Sequence, residues 1–562
     1  MRTVNNTYII CGFAAVGGGL FGFDISSMSG VLGTAAYRNY FGHPRSTVQG
    51  AITCAMPFGS LLGALSSSYI SDKYSRKFAI QSATIFWILG SIIQCASNGI
   101  AMLCVGRAIS GLGVGIASSV VPVYQSEIAQ KEIRGRVVAL QQWAITWGIL
   151  IQFFIQYGAS YIGGGPRDPN QPTAAFRIPW GIQMVPAIIL LIGMFWLPLS
   201  PRWLASKDRW EEAIQVLADL HGDGDLNHPK VLAEYQEIEE ALRFERGEIL
   251  SSYRQMIEPR MLRRVVLGMS IQMWSQLSGI NIMMYYIFYI MESANIGSPL
   301  ITSSIQYIIN VVLTLPAIIY IDRWGRRAAL LCGSIFIMIF MTLSGILQAV
   351  YGRPISAELK GHDDISWVVI GHKGVSSAIV ACTYLCVATF ATTWGPISWT
   401  YPAEIFPSRL RAKAVGLTTA TNWFWNCVLA FAVPPLLWSI NWKVYIIFAA
   451  FNGLAFIHVY LTAPETKGKT LEEMDEVFDS GRPPWQTPPR GSRLDQLARQ
   501  IKEGQLKIMG PFGQGISMTD MEDPRESRHT KGTHSSGTVT TVEAATAVQY
   551  EADAYWGPLG RH

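Results

Sequence analysis

The chain has 562 residues, 50% of them apolar and only 15% charged, with a net charge of +5 at pH 7. A soluble domain of this size needs far more charge to cover its surface, so a water-soluble globular protein is excluded. The basic residues are scattered through short loops rather than gathered in a patch, which argues against nucleic acid as a partner.

Twelve apolar runs follow one another, each close to the roughly 20 residues a helix needs to cross about 30 Å of hydrocarbon. Their approximate limits are 7–30, 48–70, 78–97, 100–122, 137–160, 178–198, 263–291, 301–321, 328–350, 374–399, 415–438 and 442–463. The expected fold class is all-α: twelve transmembrane helices in two pseudo-symmetric six-helix halves. The expected domains are 1–198 (first half), 199–262 (cytoplasmic helical linker), 263–463 (second half) and 464–562 (cytoplasmic tail).

The first run lacks a small-residue cleavage site, so it reads as a span and not a removable signal. It carries "GGLFGFDISSMSG" (18–30), which places Asp24 well inside the membrane. A charge near the bilayer centre costs about 3 kcal/mol by insertion scales, so an acid there needs a partner or a job. Arg107, in "VGRAISG" of the fourth span, is the best available partner.

The loops after spans two, four, eight and ten carry the basic clusters "DKYSRK", "KEIRGR", "DRWGRR" and "RLRAK". The positive-inside rule places these loops, the linker and both termini in the cytoplasm. The sequon at Asn5 then lies on the wrong side for glycosylation. In the linker, "KDRWEEAIQVLADL" and "PKVLAEYQEIEEALRF" read as short amphipathic helices.

The two halves repeat. "DKYSRK" (72–77) returns as "DRWGRR" (322–327), and "EIAQKEIRGR" (127–136) as "EIFPSRLRAK" (404–413). Each copy of the second pair sets a Glu seven residues before an Arg: Glu127 with Arg134, Glu404 with Arg411. Many secondary transporters are built from such repeats, with the substrate site between them. Asp72, Arg76, Glu127, Arg134, Arg202, Asp322, Arg326, Glu404, Arg411 and Glu465 are expected to form a charge network that holds one state closed; the plainer alternative is that the basic residues only fix orientation. Gly325 suits a turn with positive φ. Ser75 stands at the matching place in the first copy.

All eight cysteines fall in apolar segments without CxxC spacing, which favours packing roles even for Cys382 and Cys386, one turn apart. No phosphate loop, metal-ligand cluster or nucleophile constellation is present in the sequence, so no enzyme activity, metal or cofactor is expected. Intramembrane amides and indoles are the residues a polyhydroxylated ligand would use, because amides both donate and accept. They are Gln142 (span five), Gln272, Gln276 and Asn281 (span seven), Asn310 (span eight), Trp399 (span ten), and Asn422, Trp423 and Asn426 (span eleven). Gln272 and Gln276 share a helix face. A lone Gln or Asn can equally bond another helix, and Trp423 fits core packing as well as an interface. Gly395 and Pro396 are expected to break span ten.

The motifs "GRAISGLGVG" (106–115), "PVYQSEIA" (122–129), "SPRWL" (200–204), "QLSGIN" (276–281), "DRWGRR" and "PETKGKTLEEMD" (464–475) resemble the sugar porter family of the major facilitator superfamily, over roughly residues 7 to 475. "TWGPISWTYPAEIFPSRLRAKA" (393–414) and "FDISSMSGVLGT" are similar to fungal high-affinity hexose transporters. The resemblance implies import of a monosaccharide, glucose first, across a plasma membrane by alternating access. It implies that Gln142, Gln276, Asn281, Asn310, Trp399 and Asn426 contact the sugar, with Trp399 packed on the ring. It also implies a proton-carrying role for Asp24 beside Arg107, since related proton symporters keep an acid there. Several passive carriers have Asn, and some yeast facilitators keep Asp. A static ion pair is the alternative reading of Asp24.

Three positions depart from the family pattern: Leu199 replaces a Glu, Ser75 a Gly, and Ser275 a Gln. Leu199 removes one member of the charge network, and Ser275 one hydroxyl contact. Passive facilitation, pentose preference and a glucose sensor signalling through its tail remain as rival readings. The tail from about 480 is rich in Pro, Ser, Thr and Gly, a composition of disorder, and is a place for regulatory partners. "LDQLARQIKEGQLKI" (494–508) has the pattern of a surface amphipathic helix.

Overall fold

The computed structural model describes residues 6–31, 34–44, 46–130, 132–165, 168, 170–247, 253–285, 299–354, 367–469, 473–479, 482–486 and 499–500. All belong to the first of two compact units, residues 1–515. Asn5 and most of the tail, including all but residues 499–500 of the helix expected at 494–508, lie outside the described residues.

The described chain is helical almost throughout. Ten helices are long and apolar enough to cross a bilayer: Thr7–Val31, Thr47–Lys73, Arg76–Cys95, Ile100–Ile128, Arg134–Ala159, Ala174–Trp196, Ser304–Trp324, Arg326–Tyr351, Lys373–Ile405 and Lys443–Thr462. These match expected spans one to six, eight to ten and twelve. Span seven is Pro259–Leu277 continued by Ile280–Tyr285, and span eleven is Ser408–Ile440. Their outward faces expose rows of large apolar residues at helical spacing, such as Phe78, Ile85, Leu89 and Ile92, or Val185, Ile188, Ile189 and Ile192. Such continuous apolar surface belongs against lipid.

Small residues let the spans approach. Span one packs along span five, and spans two and three pack along span four. A Cβ at Gly22 would lie 2.0 Å from the Ile145 carbonyl oxygen, and one at Gly115 2.0 Å from that of Ser60. Larger residues there would separate the helices, as in other membrane contacts made by small side chains.

Two spans are broken. In span seven the helix stops at Leu277 and resumes at Ile280, across Gly279 with φ 88°. In span ten the break falls at Thr393 (φ −129°, ψ −86°), ahead of Gly395 and Pro396, which were expected to make it. The correction has a simple cause. Pro396 sits in the first turn of Trp394–Ile405, where its missing N–H would have had no intrahelical partner, so the interruption moves upstream of it.

The linker forms helices Pro201–Ser206, Trp210–His221 and Pro229–Gly247. Trp203, Leu204, Ile214, Leu217, Val231, Tyr235 and Ile238 bury one shared apolar cluster. After span nine, Gly352–Pro354 pairs antiparallel with Trp367–Val369, Arg353 opposite Val368.

Candidate functional site

The amide side chains of spans seven and eleven meet in a chain. Gln272 and Gln276 are one turn apart on span seven, as are Asn422 and Asn426 on span eleven, so each pair presents two groups to the other helix. Asn422 Nδ2 donates to Gln272 Oε1 at 2.6 Å, and Gln276 Nε2 donates to Asn422 Oδ1 at 2.8 Å. Asn426 Nδ2 reaches Gln276 Oε1 at 3.4 Å. Gln272 Nε2 donates in turn to the Ser398 carbonyl of span ten, at 2.8 Å. All four are buried.

Beside this chain the two halves touch. Trp399 Nε1, in span ten, donates to Gln142 Oε1 of span five at 3.1 Å. The Gln142 amide nitrogen passes so close to Gly395 that a Cβ there would lie 3.2 Å from it. Asn310 is buried, and its Oδ1 has no partner among the described residues, an acceptor whose desolvation costs about 1–3 kcal/mol if left unmet. Asn281 lies in the short helix Ile280–Tyr285, and its side chain is outside the described residues. Trp423 resolves to the interface: its Nε1 donates to Ser118 Oγ of span four at 3.1 Å, and its ring meets Phe21 edge-on at 4.6 Å. Trp143 adds a contact the sequence did not single out, donating to the Val311 carbonyl at 3.2 Å.

Asp24 and Arg107 form an ion pair of 2.9 Å, and both side chains are fully buried. Arg107 Nε donates to the Ile52 carbonyl at 3.0 Å, and Ser27 Oγ to the Asp24 carbonyl at 2.9 Å. Asp24 Oδ1 and Arg107 Nη1 have no further partner among the described residues. The pair is therefore half-satisfied, a costly arrangement at zero exposure.

The charge clusters form two matching networks at the other end of the spans. In the first half, Arg76 donates to Glu127 through Nε (3.1 Å) and Nη2 (3.2 Å) and to Asp72 through Nη1 (3.1 Å). Ser200 Oγ donates to Glu127 at 2.5 Å. In the second half, Arg326 donates to Glu404 through Nη2 (2.7 Å) and Nε (3.1 Å) and to Asp322 (2.9 Å), and Thr466 Oγ1 donates to Glu404 at 2.6 Å. Bidentate arginine–carboxylate pairs of this kind are directional as well as strong.

The networks differ at one corner. Glu465 accepts from the backbone N–H groups of Arg326 (2.8 Å) and Arg327 (3.1 Å), capping a helix whose N-cap, Gly325, has no side chain. In the first half Leu199 stands in the matching place and packs with the linker cluster instead. There Ser75 caps its own helix, its Oγ accepting from Phe78 N at 3.1 Å. The departures at 75 and 199 are thus two sides of one exchange, which the sequence reading treated separately.

Across the halves, Arg136 pairs with Asp322 at 3.4 Å, and its backbone N–H donates to the same carboxylate at 3.2 Å. Arg411 Nη1 approaches Glu127 to 4.0 Å. Arg136 was not among the residues singled out from sequence, although it closes the repeat "KEIRGR". Arg134 and Arg202 are buried and face Glu234 of the linker. His221 joins them: its Nδ1 lies 2.7 Å from Glu234 Oε2 and its Nε2 3.0 Å from the Ile128 carbonyl. Both neighbours are acceptors, so the doubly protonated ring satisfies both. Burial lowers the His221 pKa, but the Glu234 carboxylate outweighs it and leaves the group above its usual value. Burial likewise raises Glu234, yet His221, Arg202 and Arg134 hold it down to about 2.

Among the described residues no cluster of His, Cys, Asp and Glu has the makings of a metal site. Residues 10–478 match the family model "Sugar (and other) transporter". The MFS glucose transporter mfs1 of Aspergillus flavus is 65% identical over 528 residues, 94% of this chain and all of that one. The high-affinity glucose transporter of Kluyveromyces lactis is 43% identical, over 86% of this chain and 87% of that one. The structure of the proton:xylose symporter XylE bound to 6-bromo-6-deoxy-D-glucose superposes with a TM-score of 0.72 at 23% identity, covering 84% of this chain and 99% of that one. The repeated halves, the buried amides beside their contact and these matches lead to one conclusion: the chain belongs to the sugar transporter family of the major facilitator superfamily, and it is a multi-pass membrane transporter and not an enzyme.

Proposed function

We propose that this protein imports glucose and related hexoses across the plasma membrane by proton symport, through alternating access of its two halves. The observation that carries the reading is the amide chain Gln272–Asn422–Gln276–Asn426 lying beside the inter-half contact of Trp399 with Gln142. Each amide bonds another amide, so a sugar hydroxyl can replace a neighbour with little net loss of hydrogen bonding. Asn310 offers a further acceptor, Asn281 is the sixth family contact, and the Trp399 indole offers a flat apolar surface for the C–H face of the ring. The glucose relatives from Aspergillus flavus and Kluyveromyces lactis support hexose as the substrate.

The breaks at Gly279 and Thr393 fall next to Gln276 and Trp399, where span seven and span ten can bend over a bound sugar. At the far end, Arg136 must leave Asp322 before the halves part, and the Arg76 and Arg326 networks reorganise with it. The basic loops place that end in the cytoplasm, with both termini and the linker. Residues 1–198 and 263–463 move as the two halves, joined by 199–262, with 464–562 as the tail. For the proton, Asp24 is the acid: its protonation removes the charge that holds Arg107, and its deprotonation restores the pair. Coupling follows if sugar and proton each favour the same rearrangement.

The test is uptake of radiolabelled glucose by cells lacking their own hexose transporters, with the protein and with Trp399→Ala. Saturable uptake that weakens in the variant is the expected result. Absence of uptake, with the protein confirmed at the cell surface, would overturn transport and put the sensor reading first.

A further inference from the structure

Spans two and eleven run antiparallel against one another along the boundary between the halves. Their register is fixed at two places. A Cβ at Gly50 would lie 3.6 Å from Phe431, and a Cβ at Gly416 would lie 3.0 Å from the Ala64 carbonyl oxygen and 3.1 Å from Ser67 Oγ. One turn on from Gly50 and one turn back from Phe431 stand Cys54 and Cys427, so this register sets the two residues opposite each other across the boundary, where each is the other's electrostatic neighbour. Neither thiol is used by the amide chain or by the Asp24–Arg107 pair. Yet Cys427 follows Asn426 directly, and Cys54 lies two residues past Ile52, whose carbonyl holds Arg107. Both cysteines are free and partly exposed.

We propose that Cys54 and Cys427 are a redox cross-linking site: a hydroperoxide oxidises them to a disulfide that ties the two halves together and arrests transport. One thiolate attacks the peroxide O–O bond, giving a sulfenic acid and one water. The second thiol attacks that sulfur and expels the second water. Two thiols lose two electrons, the peroxide gains them, and a reducing dithiol reverses the bond by exchange. Residues facing each other on two packed helices have the placement a disulfide needs, with an S–S length of about 2.05 Å. The bond would sit about 12 Å from the Ser46 end of span two and about 27 Å from Asp72, taking the rise per helical residue. It therefore clamps the end of the boundary away from the charge networks, which alternating access must open. Cys382 and Cys386 serve as a contrast, since both lie on span ten and a bond between them would leave the halves free.

The arrest rests on the transport reading, and the experiment separates the two. Cells without hexose transporters express the full chain, Cys54→Ser or Cys427→Ser. They are exposed to hydrogen peroxide, then to dithiothreitol, and glucose uptake is followed. Disulfide-linked peptides are identified by mass spectrometry of the same membranes without reduction. The expected result is a loss of uptake with peroxide, its return with dithiothreitol, a Cys54–Cys427 linked peptide, and resistant uptake in both variants. A missing linked peptide, or equal inhibition of both variants, would overturn the proposal while leaving transport standing. If untreated cells take up no glucose, the transport reading and the arrest fall together, and the linked peptide alone decides whether the cross-link forms.

Discussion

Gly325 and Ser75 occupy the same place in the repeat but should respond oppositely to exchange. Gly325 has φ 88°, and a Cβ there would lie 2.5 Å from Glu465 Oε2. Gly325→Ser forces a side chain into a region that costs about 1–3 kcal/mol for non-glycine residues. It also displaces the carboxylate that caps Arg326 and Arg327, and hydrogen bonds to a charged group contribute about 1.5–3 kcal/mol each. The sum is at least about 2.5 kcal/mol even if one bond survives. Ser75 has φ 145°, so Ser75→Gly relieves strain while removing the bond to Phe78 N. Exchange of a serine cap for glycine costs only a few tenths of a kcal/mol. Thermal unfolding of the purified full-length protein in detergent, followed by intrinsic fluorescence, measures both. The midpoint should fall clearly for Gly325→Ser and stay near the parent for Ser75→Gly. Equal falls would refute the exchange of capping roles between Glu465 and Ser75.

Other consequences are open to direct measurement. Gln276→Ala removes a donor to Asn422 and an acceptor for Asn426, so loss of about 1.4 kcal/mol of sugar binding should raise the KM for uptake about tenfold; an unchanged KM would remove Gln276 from the site. Arg136→Gln weakens a partly exposed inter-half pair worth about 0.2–1 kcal/mol, so Vmax should change by no more than about fivefold with KM held; a total loss of uptake would mean that Arg136 does more than latch. The linker should be pH-sensitive at His221. Its raised pKa means that its stabilising charge is fully present below the unfolded value of about 6.5 and is lost as pH rises through the folded value. Glu234, held down to about 2, contributes above its unfolded value of about 4.3 and loses that contribution only as pH falls towards 2. Limited proteolysis in the turn between Trp210–His221 and Pro229–Gly247 should therefore quicken from pH 6 to pH 8, and His221→Gln should flatten the profile.

Much of this architecture was open to reading along the chain. Apolar runs of spanning length, basic clusters at repeated places and amphipathic linker segments all reflect local rules of length, charge and periodicity. The partnership of Asp24 with Arg107 was legible because few cations stand inside the membrane. What stayed hidden depends on which helix faces which. Gln272 and Gln276 were placed on one face, but their closure into a chain with Asn422 and Asn426 needs the packing of spans seven and eleven. Trp423 reads equally as core or interface until Ser118 and Phe21 are seen beside it. The break at Gly279 had a Ser-Gly signal that is common in unbroken helices too. The break at Thr393 had no local signal of its own, because Pro396 is accommodated in the following turn. Leu199 looked like a lost charge, and only the cap at Ser75 shows how the first half does without it.

The central claim, that Asp24 carries a proton with the sugar, is tested by external pH during a glucose pulse. Lightly buffered transporter-null cells express the protein or Asp24→Asn. Transient alkalinisation of the medium that accompanies uptake, and vanishes in the variant, is the predicted result. Glucose uptake with no pH change would contradict it, leaving a passive facilitator in which Asp24 and Arg107 are a static ion pair.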